Sequence, residues 1–234
     1  MLNQIFVSVI TLLVFRIQKI LVITDCLYRQ PINLNDLCFK PSIDQIIAQK
    51  QRFCCFVVSN DSCKRRNAFF KKLSQYKKVD SGGRFLNNIG GPVTNKIDFI
   101  KQYKFVICFE NYQAPGYVTE KTIEPMQVNS IPIYWEDPFI DRDFNPNSFI
   151  NISNFKNDEE AIKYIIKVDQ DEALYRSYIT EPYFHNNVIN PGYTVEHILN
   201  WLTKRIDNRD HIRLASGNNI ILLEHWNDRI KKKS

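Results

Sequence analysis

Residues 105–135 constrain the fold more than any other part of the chain, and they read FVICFENYQAPGYVTEKTIEPMQVNSIPIYW. Phe105 to Phe109 is an apolar run rich in aromatic and β-branched residues, and turn-forming residues follow at 111–116. A helix-compatible segment runs from Tyr117 to Val128, and Ile131 to Trp135 is apolar again. This order predicts a strand, a loop, a helix and a second strand, which together form one βαβ unit.

A second strand-loop-helix unit precedes it. Phe53 to Ser59 is a continuous apolar run of strand length, and residues 60–62 are Asn, Asp and Ser, all good helix N-caps. Apolar residues then recur at helical spacing with lysines on the other side, at Phe69, Phe70, Leu73 and Tyr76. In a shared parallel sheet, Lys64, Arg65 and Arg66 can face the same crevice as Lys121. A solvated basic turn is the alternative.

The remaining pattern continues the alternation of strands and helices. Ser148 to Ile152 predicts a short strand, and Asn157 with Glu160 resembles a capping box at the start of a helix. Two further helices are expected at about 171–179 and 194–206. The fold class is therefore α/β, a Rossmann-like parallel sheet with flanking helices.

Two other segments and the cysteines complete this pattern. Residues 78–95 hold Gly82, Gly83, Gly90, Gly91 and Pro92 and predict a loop, whose glycines do not match a GxGxxG phosphate cradle. A short helix or turn is expected at 97–103. The six cysteines show no CxxC pair and no metal-ligand spacing, so we predict buried, reduced thiols.

The start of the central helix suggests an anion site. If Tyr117 opens that helix, Tyr117, Glu120 and Lys121 share one face of its first turn. Free N–H groups and the helix dipole attract anions there, and Lys121 adds a charge suited to phosphate. Glu120 is placed to accept two hydroxyls of a ribose. The geometry predicts a nucleotide or nucleotide-sugar pocket.

The string CFENYQAPGYVTEK followed by IPIYW resembles the donor-binding signature of the family 10 α1,3/4-fucosyltransferases. The resemblance extends from about Phe53 to Phe155 and is closest to bacterial enzymes that build Lewis-type antigens on lipopolysaccharide. It implies the C-terminal half of a GT-B glycosyltransferase, with GDP-fucose as the donor substrate. It also implies that a glycine-bearing loop at 82–85 borders the donor pocket.

The resemblance assigns roles to individual residues. Arg66 matches the arginine that contacts the donor diphosphate, and Asn111, Tyr117 and Glu120 would hold guanosine, ribose or fucose. Glu110 either orients the donor or the backbone or is only a strand-end charge. We predict Arg66, Lys121 and Glu120 as the catalytic group. Arg66 and Lys121 would bind the charge that grows on the leaving phosphate, which accelerates the step, and Glu120 would hold the ribose hydroxyls.

No cofactor or metal is expected. Asp141-Arg142-Asp143 has the spacing of a DxD metal motif, but it falls in a turn-rich segment, and we interpret it as part of a turn. In the family the general base comes from an N-terminal domain, and no residue here matches it. Tyr112 and Pro125 depart from the signature, and Pro125 should bend the helix.

The predicted domains are an N-terminal segment at 1–50, a GDP-fucose-binding domain at 51–210 and a helical or basic tail at 211–234. Residues 5–15 form an apolar run of eleven, shorter than the roughly 20 residues of a membrane span. An irregular or truncated N-terminus, a membrane-associated segment and a core element all stay open. The expected location is the cytoplasm or the cytoplasmic face of a membrane, with possible peripheral contact.

Three functions are consistent with these features. The first is a fucosyltransferase acting on N-acetylglucosamine-containing, lactosamine-type glycans, either as a truncated gene product or as a donor domain that works with a separately encoded acceptor half. The second is a non-catalytic GDP-sugar-binding module, and the third is another GT-B nucleotide-sugar transferase. The net charge of +6 suits an anionic ligand, whereas the dispersed Lys and Arg residues disfavour nucleic acid.

Overall fold

The structure, a computed structural model, describes residues 33–111, 118–193, 197, 200, 213–216 and 219–222. In the described chain the strands are β1 Arg52–Phe56, β2 Val79–Ser81, β3 Tyr103–Ile107, β4 Ile131–Tyr134, β5 Ile150–Asn151, β6 Arg213–Ser216 and β7 Asn219–Leu222. The helices are α1 Ile43–Gln49, α2 Lys64–Tyr76, α3 Lys96–Ile100, α4 Glu120–Gln127, α5 Asp158–Gln170 and α6 Glu172–Thr180. Short 3-10 turns lie at Leu34–Cys38, Ile140–Arg142, Pro146–Ser148, Ile152–Asn154, His185–Asn187 and Pro191–Tyr193.

Strands β1 to β5 form one sheet in the order β2-β1-β3-β4-β5, and every neighbouring pair is parallel. The central pairing aligns Cys54 with Phe105, and the next aligns Phe105 with Ile131. Since the chain leaves β1 toward one edge and returns to β3 on its other side, the order reverses between β1 and β3. Ligands bind at such a switch point, outside the carboxyl ends of the strands. The predicted α/β class is confirmed.

The core explains why these segments are strands. Alternate residues of β3, Phe105 and Ile107, belong with Phe109 to one cluster that includes side chains of α2, α5 and α6. Their neighbours Val106 and Cys108 are also buried but lie outside that cluster. Successive strand residues point to opposite faces, so both faces of the sheet are covered. A continuous apolar run, rather than an alternating one, is what such a sheet requires.

Capping residues set the ends of the helices. Asn157 caps α5 by accepting a hydrogen bond from the Glu160 N–H at 2.9 Å, as the sequence predicts. Asp171 caps α6 in the same way through the Leu174 N–H, at 2.9 Å. Helix α6 therefore confirms the helix expected at about 171–179, whereas residues 194–206 lie almost wholly outside the described residues.

The segment predicted as a loop at 78–95 contains strand β2. Val79 to Ser81 pair with Cys54 to Phe56 at the edge of the sheet. Three residues are too few for a periodic signal, so the glycines after them dominated our interpretation. Gly83 is needed where it stands, because a Cβ there would lie 1.8 Å from the carbonyl oxygen of Val58.

The described cysteines are free thiols, as predicted, and Cys54, Cys55 and Cys108 are buried within or next to the strands. Burial raises the pKa of these three thiols well above the ordinary value. They are therefore protonated at neutral pH and behave as small apolar side chains.

The C-terminal segment differs from the predicted helical or basic tail. Its described residues form an antiparallel pair, β6 with β7, in which Ser216 pairs with Asn219. The dipeptide between them, Gly217-Asn218, is typical of a two-residue hairpin turn, a signal that our helical interpretation passed over. The compact unit that contains the parallel sheet is Ile32–Ile189, and 190–234 belong to another unit. The predicted domain limits stay predictions.

Candidate functional site

The described site residues that were predicted on β1–α2 and β3–α4 meet at the switch point of the sheet. Arg66 is the third residue of α2, which follows β1, while Glu110 and Asn111 follow β3. Lys121 is the second residue of α4, beyond the same loop. The parallel topology brings the carboxyl ends of β1 and β3 side by side, so residues 45 and more positions apart become neighbours.

Arg66 is fully buried, which is unusual for an arginine. Its Nη1 donates to Asn111 Oδ1 at 2.8 Å, and its Nη2 donates to Asn60 Oδ1 and to the Asn60 carbonyl oxygen, both at 3.2 Å. Its Nε has no hydrogen-bond partner among the described residues. Burial lowers the pKa of Arg66, but an arginine stays cationic in proteins. The guanidinium is therefore a positive charge fixed in position, and its Nε–H is a hydrogen-bond donor without a partner among the described residues.

Glu110 joins the end of β3 to the start of α4. Its Oε1 accepts the Thr119 N–H at 2.9 Å and the Thr119 hydroxyl, and its Oε2 lies 2.8 Å from Lys121 Nζ. The Glu110 side chain is buried, and the Lys121 side chain is 18% exposed. Burial alone would lower the pKa of Lys121, but Glu110 and Glu120 outweigh it and raise that pKa. Lys121 is thus a positioned ammonium at the mouth of the crevice.

Glu120 and Lys121 lie in the first turn of α4, but Tyr117 does not open that helix. The helix begins at Glu120, because the Thr119 hydroxyl caps it by accepting the Lys121 N–H at 3.3 Å. The sequence interpretation was three residues early, and Tyr117 lies outside the described residues. The Glu120 side chain is 39% exposed, and its Oε1 lies 3.7 Å from Lys121 Nζ. Burial would raise the pKa of Glu120, but Lys121 and Lys96 lower it overall.

The other two basic residues in the first turn of α2 do not join the cluster. Lys64 is exposed, and Arg65 Nη2 forms an ion pair with Asp158 Oδ1 of α5 at 2.8 Å. The Arg65 guanidinium also lies over the Trp135 ring, 5.0 Å from its centroid. Arg65 therefore links α2 to α5 and to Trp135. The alternative of a solvated basic turn describes the exposed Lys64 but not these contacts of Arg65.

The loop at 82–85 lies against the segment that leads from β1 to Arg66. Gly82 N–H donates to the Phe56 carbonyl at 2.9 Å, and Phe85 N–H donates to the Val58 carbonyl at 3.1 Å. These bonds fix the path of the chain after β1, one wall of the crevice. That this loop borders a bound donor stays a prediction.

Our sequence interpretation missed three residues of the cluster. Asn60, predicted as a helix cap, instead holds Arg66, and the N-cap of α2 is Cys63, which makes no side-chain capping bond. Thr119 links Glu110 to the helix start, and a Thr just before Glu-Lys is a recognisable N-cap signal. Glu136, after β4, is buried beside these charges, and no local pattern marks it.

The described residues contain no cluster suited to a metal ion and no helix suited to cross a membrane. No group of three or more His, Cys, Asp or Glu side chains in that part of the chain is arranged to hold a metal ion. None of the helices within the described ranges has the length and apolarity that a membrane crossing needs. The N-terminal apolar run at 5–15 lies outside those ranges. The Asp141-Arg142-Asp143 segment forms a 3-10 turn at Ile140–Arg142, as predicted.

A doubly wound parallel sheet with two cationic side chains held at its switch point is an arrangement typical of α/β proteins that bind phosphorylated ligands. The chain belongs to glycosyltransferase family 10, the fucosyltransferases, whose C-terminal part matches residues 47–205. The resemblance noted in the sequence is confirmed.

Similar proteins agree with this assignment. The chain is 49% identical over 116 residues to the alpha-(1,3)-fucosyltransferase of Helicobacter pylori. The matched region covers 50% of this chain and 24% of that protein. A putative fucosyltransferase of Acanthamoeba polyphaga mimivirus is 34% identical over 162 residues, 64% of this chain and 26% of that protein. The chain thus spans about a quarter of the length of these relatives.

Solved structures of an α1,3-fucosyltransferase share the fold. The one with GDP-fucose superposes with a TM-score of 0.64 at 36% identity, over 75% of this chain and 55% of that one. The one with GDP gives a TM-score of 0.63 at 38% identity, over the same shares of the two chains. The fold is that of the C-terminal half of a GT-B glycosyltransferase.

Proposed function

We propose that this chain binds GDP-fucose and supplies the donor half of a fucosyltransferase. The observation that carries the proposal is that two cationic side chains, the buried Arg66 and Lys121, which Glu110 holds in place, lie at the switch point of the sheet. Two fixed cations beside a helix N-terminus suit a diphosphate, since phosphate oxygens accept several charge-assisted hydrogen bonds. Membership of the fucosyltransferase family supports fucose as the sugar.

The transfer itself exchanges one bond for another at C1 of fucose. The acceptor hydroxyl oxygen bonds to C1 with inversion and gives up its proton, while the bond from C1 to the diphosphate oxygen breaks and GDP leaves with that electron pair. Negative charge therefore grows on the diphosphate in an oxocarbenium-like transition state. Groups that bind the diphosphate more tightly in the transition state than in the ground state accelerate the step. Arg66 and Lys121 are proposed for this role.

The contacts of the two cations suit them to this work. Arg66 is held by Asn60 and Asn111, and Lys121 is held by Glu110, so neither has to be ordered when the substrate arrives. Preorganised charge costs no rearrangement during the reaction. Glu120, more exposed at the helix start, is proposed to accept ribose hydroxyls, and Asn111 to contact the nucleotide. Tyr117 is proposed as a further ligand on the family resemblance alone.

The acceptor and its base are outside this cluster. We propose a lactosamine-type glycan as acceptor, by analogy with the family, and we assign no general base within this chain. A separately encoded acceptor half would supply that base. We also propose a location in the cytoplasm or at the cytoplasmic face of a membrane, which the buried free thiols and the net charge of +6 support. Cell fractionation followed by immunoblotting tests that location.

The deciding experiment is a turnover assay on the purified chain with GDP-fucose and a lactosamine acceptor, following released GDP and fucosylated product separately. Product formation supports a complete enzyme, whereas donor binding without product supports a donor half that needs a partner, or a non-catalytic module. Calorimetry showing no binding at millimolar GDP-fucose would overturn the proposal. Competition among GDP, UDP and ADP tests the choice of guanine, and preference for UDP or ADP would indicate another GT-B transferase.

A further inference from the structure

The structure places a third acidic side chain, Glu136, among the charges of this cluster. We propose that Glu136 is a functional residue of the pocket that takes up a proton when a sugar nucleotide diphosphate binds, so that donor affinity falls as the pH rises. This inference rests on the proposed function, because the diphosphate is the group that would change the charge around Glu136.

The position of Glu136 follows from the pairing of β3 with β4. The Cys108 N–H donates to the Ile133 carbonyl at 2.9 Å, which continues the ladder past the end of β3. The Phe109 ring, one residue past Cys108, and the Trp135 ring, two residues past Ile133, lie 5.7 Å apart. Glu110 directly follows Phe109, and Glu136 directly follows Trp135. The ladder and the ring contact therefore carry both carboxyl groups to the same edge of the sheet.

Glu136 is held there at a cost. It is 1% exposed, and its φ of +157° is one that few residues other than glycine adopt. Unusual backbone conformations persist only where the surroundings enforce them, and they cluster at functional sites. A buried acid in such a conformation is therefore a candidate for function rather than an incidental surface charge.

Charged or titratable groups surround Glu136 on each element that it meets. Lys121 of α4 and Arg66 of α2 favour its ionised form, whereas Glu110 beyond β3 and the adjacent Asp137 disfavour it. Tyr134 of β4 also interacts with it electrostatically. Burial is the largest effect, followed by Glu110, and together they raise the pKa of Glu136 to about 7. Its charge thus changes close to neutral pH.

A bound diphosphate changes this balance in one direction. Its oxygens bring at least two negative charges to the same two cations that favour the ionised carboxyl. A nearby like charge raises the pKa of an acid. Binding therefore draws a proton onto Glu136, and by linkage a rising pH weakens binding, by at most about tenfold per pH unit above the pKa of the free protein.

Titration calorimetry of the full chain tests this directly. GDP-fucose is titrated at pH 7.5, without acceptor, in buffers of low and high ionisation enthalpy such as PIPES and Tris. GDP-fucose is the suitable probe because its diphosphate is esterified at both ends and does not itself titrate near neutral pH. The dependence of the heat on the buffer gives the protons taken up. We expect uptake of up to about 0.75 proton per bound GDP-fucose, the ionised fraction at pH 7.5 for a pKa of about 7.

Two variants and one control identify the group. Glu136→Gln, a neutral isostere, and Glu136→Gly, which suits the backbone conformation, should both bind GDP-fucose without proton uptake and with little change in affinity from pH 6.5 to 8.5. Glu159→Gln, at an exposed carboxylate of α5, should keep the uptake of the wild type. Wild-type binding with no buffer dependence, or uptake that persists in both Glu136 variants, overturns this inference and leaves the proposed function intact. Failure of the wild type to bind overturns both.

Discussion

The ion pair between Glu110 and Lys121, with Oε2 and Nζ 2.8 Å apart, links the carboxyl end of β3 to the first turn of α4. The same carboxylate accepts the N–H of Thr119, the residue that caps α4. One buried side chain thus sets both where the helix begins and where its lysine lies. The position of the Lys121 ammonium therefore depends on this contact as well as on the helix.

Replacing Glu110 should therefore cost stability as well as geometry. Glu110→Gln leaves the Lys121 ammonium without its anion, and loss of one partner of a buried pair costs about 3 kcal/mol. Urea unfolding of the wild type, Glu110→Gln, Lys121→Met and the double variant gives the coupling energy. We expect about 2 kcal/mol of coupling. Additive single effects would show that the pair contributes nothing of its own.

Loss of either cation should weaken donor binding. Arg66→Ala and Lys121→Ala each remove a charge-assisted contact worth about 1.5–3 kcal/mol, so the dissociation constant for GDP should rise by about tenfold to a hundredfold. Calorimetry measures the change, and circular dichroism checks that the buried Arg66 variant is folded. Lys64→Gln removes an exposed charge from the same turn of α2 and should leave affinity unchanged. Equal affinity in the variants and the wild type would contradict the proposed pocket.

Lys96 and Glu124 form an ion pair that joins α3 to α4, with Glu124 1% exposed. Burial raises the pKa of Glu124, and Lys96 opposes that shift. In Lys96→Met the folded state then binds a proton more readily than the unfolded state, so stability falls as the pH rises above about 4.5. We expect the variant to lose about 3 kcal/mol at pH 8 and clearly less at pH 5, by urea unfolding. A loss independent of pH would contradict this.

Lys50 gives the opposite dependence on pH. Its Nζ donates to the carbonyl oxygens of Lys101 and Val128 and to the Ser130 hydroxyl, at 2.8, 2.6 and 2.9 Å. Burial lowers its pKa from 10.5 to about 7, so between those values the unfolded state binds more protons and stability rises with pH.

The measurement is the slope of unfolding free energy against pH from 7 to 10. Lys50 contributes at most about 1.4 kcal/mol per pH unit, and Lys50→Met should lack that contribution. Lys71→Met, at an exposed position of α2, should keep the slope of the wild type. The same slope in Lys50→Met and the wild type would show that Lys50 keeps an ordinary pKa.

Local patterns predicted most of the parallel domain. The apolar run at 53–59 gave β1, the Asn157 cap gave the start of α5, and the strand-loop-helix-strand pattern at 105–135 gave β3, α4 and β4. These elements follow from side-chain periodicity and capping, which act over a few residues. The geometry of the helix start made Lys121 a candidate, and the family resemblance singled out Arg66 among the basic residues that begin α2. Strand β2 was not predicted, because three residues are too few to show the alternation of a strand.

The amino-acid sequence thus carried the local elements and the identities of the two cations. Only the tertiary structure decided which groups hold them. Asn60 binds Arg66 because β1 and α2 turn back on each other, Glu110 reaches Lys121 across the loop between β3 and α4, and Glu136 joins them through the pairing of β3 with β4. The paths of two loops decide the first two contacts, and strand order and register bring Glu136 to Glu110. No local pattern in the sequence connects these residues, because each contact depends on where the chain returns in three dimensions.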